Sequence, residues 1–285
     1  MARFGTVTVV GVGLIGGSIG LALRERKLAD RVVGVGRGEA GLLEAVAMGA
    51  LEEGTTDLEQ GVAEAEVVVV CTPVTDIAAT VRRAAAHGPR DMLVTDAGST
   101  KRSIVENIER DERARLVFVA GHPIAGSERN GVRFAQARLL ENRVCVLTPT
   151  ERTPGDKLKR AREFWSALGA RLIEIDPAGH DEALALTSHL PHAVAAALAA
   201  AVPAELLELA AGAYRDGTRV AASDAHLWAG VFRENRGPLL NALGRFQEQL
   251  ATFRQALDGD DHDALLAWWN VARDRRDRFQ AGPRC

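Results

Sequence analysis

Short runs rich in valine and isoleucine alternate with amphipathic segments along the first three-fifths of the chain. In the segments between the runs, apolar residues recur with the period of an α-helix. The runs predict strands at Thr6–Val10, Arg31–Val35, Val67–Cys71, Met92–Thr95, Leu116–Ala120, Val144–Leu147 and Arg171–Ile175. The segments between them predict helices that include Ile15–Arg26, Ala40–Met48, Ile77–Ala86 and Ser103–Arg110. This alternation is typical of an α/β fold with a mostly parallel sheet covered by helices on both faces.

The strand pattern stops at Asp176-Pro177, and the remainder of the chain has the helical period only. Helices are predicted at Asp181–Val202, Ala204–Tyr214, Ala225–Glu234, Pro238–Leu257 and Asp263–Phe279. Gly237-Pro238 marks a break or restart, because proline lacks an amide donor and suits a first helical turn. We therefore predict an α/β domain over residues 1–176 followed by an all-α domain over residues 177–285.

A glycine-rich sequence, Gly11-Val-Gly-Leu-Ile-Gly16, directly follows the first predicted strand and opens the first predicted helix. Glycines at these spacings permit a tight turn, close approach of the backbone to a pyrophosphate, and close packing of helix on strand. The helix N-terminus offers free amides to the phosphates. A glycine turn without a ligand is the alternative, but the strand–helix context favours a Rossmann-type dinucleotide-binding domain. The predicted cofactor contacts are Gly11, Gly13, Leu14, Ile15, Gly16 and Thr72.

The end of the second predicted strand bears on the choice of cofactor. An acidic residue commonly lies there and binds the ribose 2′-hydroxyl of NAD. In this chain Gly36-Arg37 follows the strand instead, and Asp30 lies before it. Arg37 could pair with a 2′-phosphate, which favours NADP; alternatively it is a solvated loop charge and the protein accepts NAD as well.

Composition excludes several classes of protein without indicating a function. The 285 residues are 47% apolar and 26% charged, with 35 basic and 38 acidic residues. This balance gives no electrostatic reason to expect nucleic acid or an anionic membrane as partner. Three cysteines without CxxC spacing are expected to be buried thiols. We read no signal peptide, and the longest apolar helical stretch, at residues 193–202, is too short to span a bilayer, so we expect a cytoplasmic protein.

Three polar segments stand out from the packing pattern. Two of them, Asp96–Lys101 and Gly121–Glu128, each follow a predicted strand directly. Ligands of open α/β sheets bind at the carboxyl ends of the strands, so both segments are expected beside the cofactor. The third, Thr187–His192, lies in the first helix of the all-α part and places His189 and His192 near one helix face.

These segments resemble the prephenate/arogenate dehydrogenases of tyrosine biosynthesis. The resemblance rests on Gly11–Gly16, Asp96–Lys101, the GHPIAGSE run at 121–128 and the TSHLPH run at 187–192. It continues in the same order through Asp216–Arg219, Ser223-Asp224, Trp228 and Glu234–Arg236, and it covers residues 6 to about 280. No chorismate mutase segment precedes the first strand and no regulatory domain follows the last helix, so we expect the monofunctional form.

The resemblance implies NAD(P)-dependent oxidative decarboxylation of a cyclohexadienol, with prephenate favoured and arogenate as a second substrate. His122 would accept a hydrogen bond from the ring hydroxyl while hydride leaves the same carbon. Ser99 matches the family serine that contacts both this histidine and the hydroxyl. Arg219 matches the family arginine that holds a substrate carboxylate, for which a bidentate guanidinium is suited.

Several of these side chains have a second interpretation. Ser99 could cap the following helix. His189 could be a packing group rather than a substrate contact, whereas His192 is the better substrate contact. Glu128 could order the pocket through ionic contacts or lie on a surface loop. Lys101 is expected to be structural or close to the cofactor.

Two other classes of protein are alternatives to a prephenate/arogenate dehydrogenase. In β-hydroxyacid dehydrogenase-like oxidoreductases, a helical domain also follows a dinucleotide-binding fold. That class would leave His122, His189 and His192 without a role. A non-enzymatic NADP-sensing protein would need only the glycine loop. No metal is expected, because His189 and His192 lack a third ligand at convincing spacing. The resemblance also implies a homodimer joined through the helical domain, with Asp216 or Trp228 reaching the partner's site.

Overall fold

The computed structural model describes residues 3–126 and 129–281. The chain divides into two compact units, Met1–Arg236 and Gly237–Cys285. Helices after residue 176 therefore belong in part to the same unit as the sheet. The domain boundary near residue 176 stays a prediction.

A six-stranded parallel sheet forms the centre of the first unit. Its strands are β1 (Phe4–Val10), β2 (Ala29–Val35), β3 (Glu53–Thr55), β4 (Val67–Val70), β5 (Leu93–Asp96) and β6 (Phe118–Val119). Their order is β3-β2-β1-β4-β5-β6, with every pair parallel. The strand order reverses between β1 and β4, which is where doubly wound sheets bind their ligands. The predicted α/β fold with a Rossmann-type sheet is confirmed.

Helices cover both faces of this sheet. They are α1 (Leu14–Glu25), α2 (Glu39–Ala47), α3 (Leu58–Val62), α4 (Val74–His87), α5 (Arg102–Ile108), α6 (Glu112–Val117) and α7 (Gly155–Ala167). Strand β4 consists of four buried valines, which alternate between two hydrophobic clusters. Val67 and Val69 join one cluster, and Val68 and Val70 join the other. A strand buried on both faces reads as an unbroken apolar run, as this one does.

The last predicted strands belong to a second, smaller sheet rather than to the parallel one. Its strands are β7 (Gly121–Pro123), β8 (Val144–Leu147) and β9 (Arg171–Glu174). β7 is antiparallel to β8, and β8 is parallel to β9. The prediction that these runs extend one sheet was wrong, because the chain leaves the parallel sheet after Val119 and pairs again as β7. Strands β3 and β7 were not predicted, because three residues are too few to show an alternation of apolar and polar positions.

Leu116 and Val117 lie in helix α6 rather than in the predicted strand at 116–120. Asp111 caps this helix, since its side chain accepts hydrogen bonds from the amides of Arg113 and Ala114. The cap starts a helix that carries the chain to the first residue of β6.

The helical part of the first unit begins with one continuous helix. It comprises α8 (Pro177–Leu184), a π-helical turn at Ala185–His189, and α9 (Leu190–Ala201). By length and composition, the helix Pro177–Ala201 could cross a membrane, so the prediction that the longest apolar helical stretch covers only residues 193–202 was wrong. Three of its polar residues, His180, Asp181 and His189, are buried inside the protein.

Two shorter helices follow, α10 (Gly212–Thr218) and α11 (Ala225–Glu234). The predicted helix at Ala204–Tyr214 was wrong: Ala204–Leu209 is a 3₁₀ segment, and Ala211 is extended. Every residue from 203 to 211 is exposed in this chain. A short helix without a packing surface is marginal in water, which accounts for the difference.

The second unit contains a pair of long helices. α12 spans Arg236–Asp258, and α13 spans His262–Gln280. Their rings meet at Phe253 and Trp268, with centroids 5.0 Å apart. The proline at 238 lies in the first turn of α12, where its missing amide costs no hydrogen bond, as the sequence predicts.

Candidate active site at the carboxyl edge of the sheet

The loop between β1 and α1 forms an open cradle of backbone amides. Gly11 has φ +94°, and a Cβ there would lie 2.6 Å from the carbonyl oxygen of Cys71. A Cβ on Gly16 would lie 2.2 Å from the carbonyl oxygen of Gly11, so both positions require glycine. A Cβ on Gly13 would instead meet no atom within 4 Å in the described part of the chain, because Gly13 faces open space. The first turn of α1, with Leu14 and Ile15, thus opens toward a free volume.

The surroundings of the cradle fit a dinucleotide. Thr72 follows β4 and lies against Gly11, at the point where the strand order reverses. Its buried Oγ1 has no hydrogen-bond partner within residues 3–126 and 129–281. A buried hydroxyl of this kind calls for a polar ligand group. Arg37 is exposed, two residues beyond the end of β2.

A cavity of about 450 Å³ lies beside the carboxyl ends of the strands. Four predicted site residues line it together: Ser99, His122, His192 and Arg219. Further polar lining residues are Arg143, Ser188, Ser223, Asp224 and Asn130. The tertiary structure therefore brings together four predicted residues that lie up to 120 positions apart in the sequence.

His122, on β7, is bonded to a second histidine that the sequence reasoning missed. Its Nδ1 lies 2.8 Å from Nε2 of His180 on α8, and Nδ1 of His180 lies 2.8 Å from Oδ1 of Asp181. Burial lowers the pKa of His122 well below its usual value, and the nearby His180 and Lys101 add to this shift. His122 is therefore neutral at ordinary pH and can accept a hydrogen bond.

A buried ion pair holds the segment that carries Ser99. Lys101 and Asp96 are fully buried and paired with each other. Asp96 also accepts hydrogen bonds from the amides of Gly98 and Gly121, at 2.9 and 3.1 Å. Asp96 thus joins the Ser99 segment to the start of the strand that carries His122.

Ser99 does not cap the following helix. Helix α5 begins at Arg102, and its first amides are bonded to the carboxylate of Asp181. The distances are 2.8 Å from the Lys101 nitrogen to Oδ1 and 3.0 Å from the Arg102 nitrogen to Oδ2. Ser99 lies on the cavity wall instead.

The two histidines of the third segment occupy different environments. His189 is fully buried and does not line the cavity; Asn235 donates a hydrogen bond to its Nδ1 at 2.9 Å. Burial lowers the pKa of His189 to about 4. His192 lines the cavity and stacks on Trp228, with ring centroids 3.5 Å apart. His192 is therefore on the cavity wall, and His189 lies behind it among buried residues.

The remaining predicted residues are placed as follows. Arg219 begins a 3₁₀ turn, Arg219–Ala222, on the cavity wall. Trp228 belongs to the cavity of its own chain. Asp216 is exposed and pairs with Arg215. Glu128 lies outside the described residues. In the described ranges no group of three or more His, Cys, Asp or Glu side chains is arranged to hold a metal ion.

Two family models match consecutive parts of this chain. The prephenate dehydrogenase nucleotide-binding domain matches residues 19–174, and the prephenate dehydrogenase dimerization domain matches residues 176–271. The chain belongs to the prephenate dehydrogenase family. It is 31% identical to a cyclohexadienyl dehydrogenase of Zymomonas mobilis, over 97% of this chain and 96% of that protein. It is 30% identical to the prephenate dehydrogenase of Bacillus subtilis, over 95% of this chain and 75% of that protein.

A solved member of the prephenate dehydrogenase family has the same fold. The structure of the prephenate dehydrogenase from A. aeolicus, in complex with hydroxyphenyl propionate and NAD+, superposes with a TM-score of 0.89. It is 30% identical in sequence, and the match covers 97% of both chains. The present member is therefore an oxidoreductase that uses a nicotinamide cofactor, and the cradle at Gly11–Gly16 is suited to bind it.

Three residues at or behind the cavity were not predicted from the sequence: His180, Asp181 and Arg143. His180 and Asp181 form an adjacent polar pair at the start of an apolar helix, which is an available signal for a buried polar network. Arg143 precedes a strand rather than following one. Position relative to the strand therefore gave no indication that Arg143 lines the cavity.

Proposed function

We propose that this chain catalyses the NAD(P)-dependent oxidative decarboxylation of prephenate to 4-hydroxyphenylpyruvate. The observation that carries the proposal is one cavity that is lined by neutral His122, by Ser99 and by the two arginines Arg219 and Arg143. The first pair suits a hydroxyl group, and the two guanidinium groups suit carboxylates. Prephenate carries one hydroxyl and two carboxylates.

The bound nicotinamide supplies an acceptor for hydride. His122 accepts a hydrogen bond from the ring hydroxyl, which raises the electron density at the carbon that loses hydride. The bond between the ring and its carboxylate then breaks, CO₂ leaves, and the electron pair completes the aromatic ring. The hydroxyl hydrogen is still present in the phenol product, so no net proton is released. A poorly basic histidine is sufficient for this role, because it has only to share the proton.

Charge in the cavity supports prephenate as the first substrate. Arg143, Arg219 and Asp224 are its charged lining residues among those described, and Asp224 is engaged as the cap of α11. Burial and the charge of Arg219 lower the pKa of His192, whose Nδ1 is bonded to the Ser188 carbonyl at 2.8 Å. Its Nε2 is therefore the nitrogen available to a ligand. A neutral Nε2 can accept a hydrogen bond from an ammonium group, so we propose arogenate as a second substrate.

Absorbance at 340 nm tests the proposed function directly. We expect reduced cofactor to form when prephenate is mixed with the protein and NADP or NAD, and CO₂ to form in equal amount. An absence of signal with prephenate and with arogenate, for both cofactors, would reject the proposal. Binding of cofactor without turnover would instead favour an NADP-sensing protein, and turnover of a β-hydroxy acid would favour the other enzyme class.

Replacing Arg37 with alanine is expected to reduce the preference for NADP over NAD. We propose NADP as the favoured cofactor, because the exposed Arg37 follows β2 at the position where NAD-binding sheets commonly carry a carboxylate. Loss of one exposed charge pair costs about 0.2–1 kcal/mol, or a few-fold in affinity. Values of kcat/KM for both cofactors, measured on wild type and variant, provide the test. An unchanged ratio would remove Arg37 from cofactor selection, and Arg90→Ala is a control on the same sheet domain.

We propose that two copies of this chain associate through the helices that match the family's dimerization domain. In the second unit, large apolar side chains are exposed on both long helices: Leu250, Leu257, Leu266, Trp269, Val271 and Phe279. Such an apolar surface is typical of an interface. Analytical ultracentrifugation at micromolar concentration is expected to give the mass of a dimer. A monomer at that concentration would contradict the proposal.

A further inference from the structure

Three buried side chains form a continuous hydrogen-bonded line behind the cavity wall. This buried triad consists of His122, His180 and Asp181, with distances of 2.8 Å between successive polar atoms. His180 is fully buried and Asp181 nearly so, whereas His122 reaches the cavity. His180 does not itself line the cavity, so its hydrogen bond to His122 is what connects it to the site.

Asp181 sets the direction of the hydrogen bonds. Its two oxygens accept from the backbone amides of Lys101 and Arg102 at the start of α5. Both amides are hydrogen-bond donors, so both oxygens of Asp181 act as acceptors, as in an ionised carboxylate. An ionised carboxylate only accepts hydrogen bonds, so the hydrogen on its bond to His180 belongs to Nδ1 of that ring.

The position of the hydrogen on His180 determines the position of the hydrogen on His122. With its hydrogen on Nδ1, a neutral His180 offers a lone pair at Nε2. Nδ1 of His122 must then carry the hydrogen that bonds to this lone pair. Nε2 of His122, the other ring nitrogen, is left with a lone pair and without a hydrogen.

We propose that His180 and Asp181 are positioning residues that hold His122 in the tautomer whose Nε2 accepts the hydroxyl hydrogen bond of the substrate. The proposal rests on the proposed function for the identity of that hydroxyl, but the tautomer itself is a property of the free protein. Burial lowers the pKa of both His122 and His180, which keeps the two rings neutral and makes their tautomers matter. Lys101 and His189 are the other charged or titratable groups that act on His122.

Two variants of His180 separate positioning from packing. The amide of His180→Asn reaches only the place of Nδ1, so it retains a donor for Asp181 but leaves Nδ1 of His122 without an acceptor. The amide of His180→Gln reaches the place of Nε2, so its oxygen can still accept from His122. We expect kcat to fall about a hundredfold in His180→Asn, with KM changed less than about threefold, and about fivefold or less in His180→Gln.

Nitrogen-15 NMR of the histidine rings gives a readout that does not require turnover. His122 in the wild-type protein is expected to carry its hydrogen on Nδ1, with the signal assigned by its loss in His122→Asn. In His180→Asn the hydrogen is expected to move to Nε2, and in His180→Gln it is expected to stay on Nδ1. Cofactor binding and thermal melting report whether each variant is folded.

The outcomes are distinct. A wild-type His122 with its hydrogen on Nε2 overturns the inference, whether or not either variant folds. Equal losses of kcat in the two variants, or none in His180→Asn, also overturn it. If the wild-type protein shows the expected tautomer but turns over neither prephenate nor arogenate, the proposed function fails and the positioning of His122 stands.

Discussion

Replacing His122 with asparagine is expected to lower kcat for prephenate about a thousandfold while KM changes less than about fivefold. The asparagine amide reaches only the place of Nδ1, so it can retain the contact with His180 but offers no acceptor at the place of Nε2. The variant leaves Arg219 and Arg143 on the cavity wall unaltered, and we propose that these two side chains bind the substrate carboxylates, so KM is expected to change little. An interaction needed mainly in the transition state lowers kcat without weakening binding.

Steady-state kinetics at saturating cofactor, with the prephenate concentration varied, measure the separate effects on kcat and KM. His87→Asn is the matched control, because His87 is a surface histidine at the end of α4, paired with Glu59. It should behave as wild type. A loss confined to KM in His122→Asn would assign His122 to substrate binding, and an unchanged kcat would remove it from the reaction.

Replacing Lys101 with methionine is expected to lower the free energy of unfolding by about 3–5 kcal/mol. The substitution leaves Asp96 as a buried carboxylate without its cationic partner. The hydrogen bonds that Asp96 accepts from the backbone amides of Gly98 and Gly121 compensate its negative charge only in part. Urea denaturation of the wild-type and variant proteins gives the difference directly.

Two further variants test whether the buried charge is the cause. Adding Asp96→Asn to Lys101→Met removes the unpaired charge and should recover part of the loss. Arg102→Met breaks the neighbouring ion pair with Glu106, whose side chains are both exposed, and should cost less than about 1 kcal/mol. If Lys101→Met costs no more than Arg102→Met, the buried pair does not hold the Ser99 segment in the way we argue.

Local sequence was sufficient for elements with a strong repeating pattern. The run of valines predicts strand β4, because a strand buried on both faces is apolar throughout. The glycines predict the tight loop after β1, where Gly11 has a positive φ and Gly16 packs against its carbonyl oxygen. Helix α11 has the predicted ends, since Asp224 caps it and the next helix starts after Asn235. Residues 204–211 include as many helix-favouring residue types as α11, but they are exposed and pack on no other element of the described chain, and Ala204–Leu209 forms a 3₁₀ turn.

The sequence by itself determined the α/β fold, and it predicted the cofactor loop and the candidate site residues His122, Ser99, His192 and Arg219, because each belongs to a recognisable run of neighbouring residues. Only the tertiary structure decided that His180 and Asp181 stand behind His122, that Asp181 rather than Ser99 caps α5, and that Arg143 faces the cavity. The first of these joins residues 58 positions apart and the second residues 80 apart. No local pattern encodes such a contact, because it depends on how helix α8 packs against the edge of the sheet.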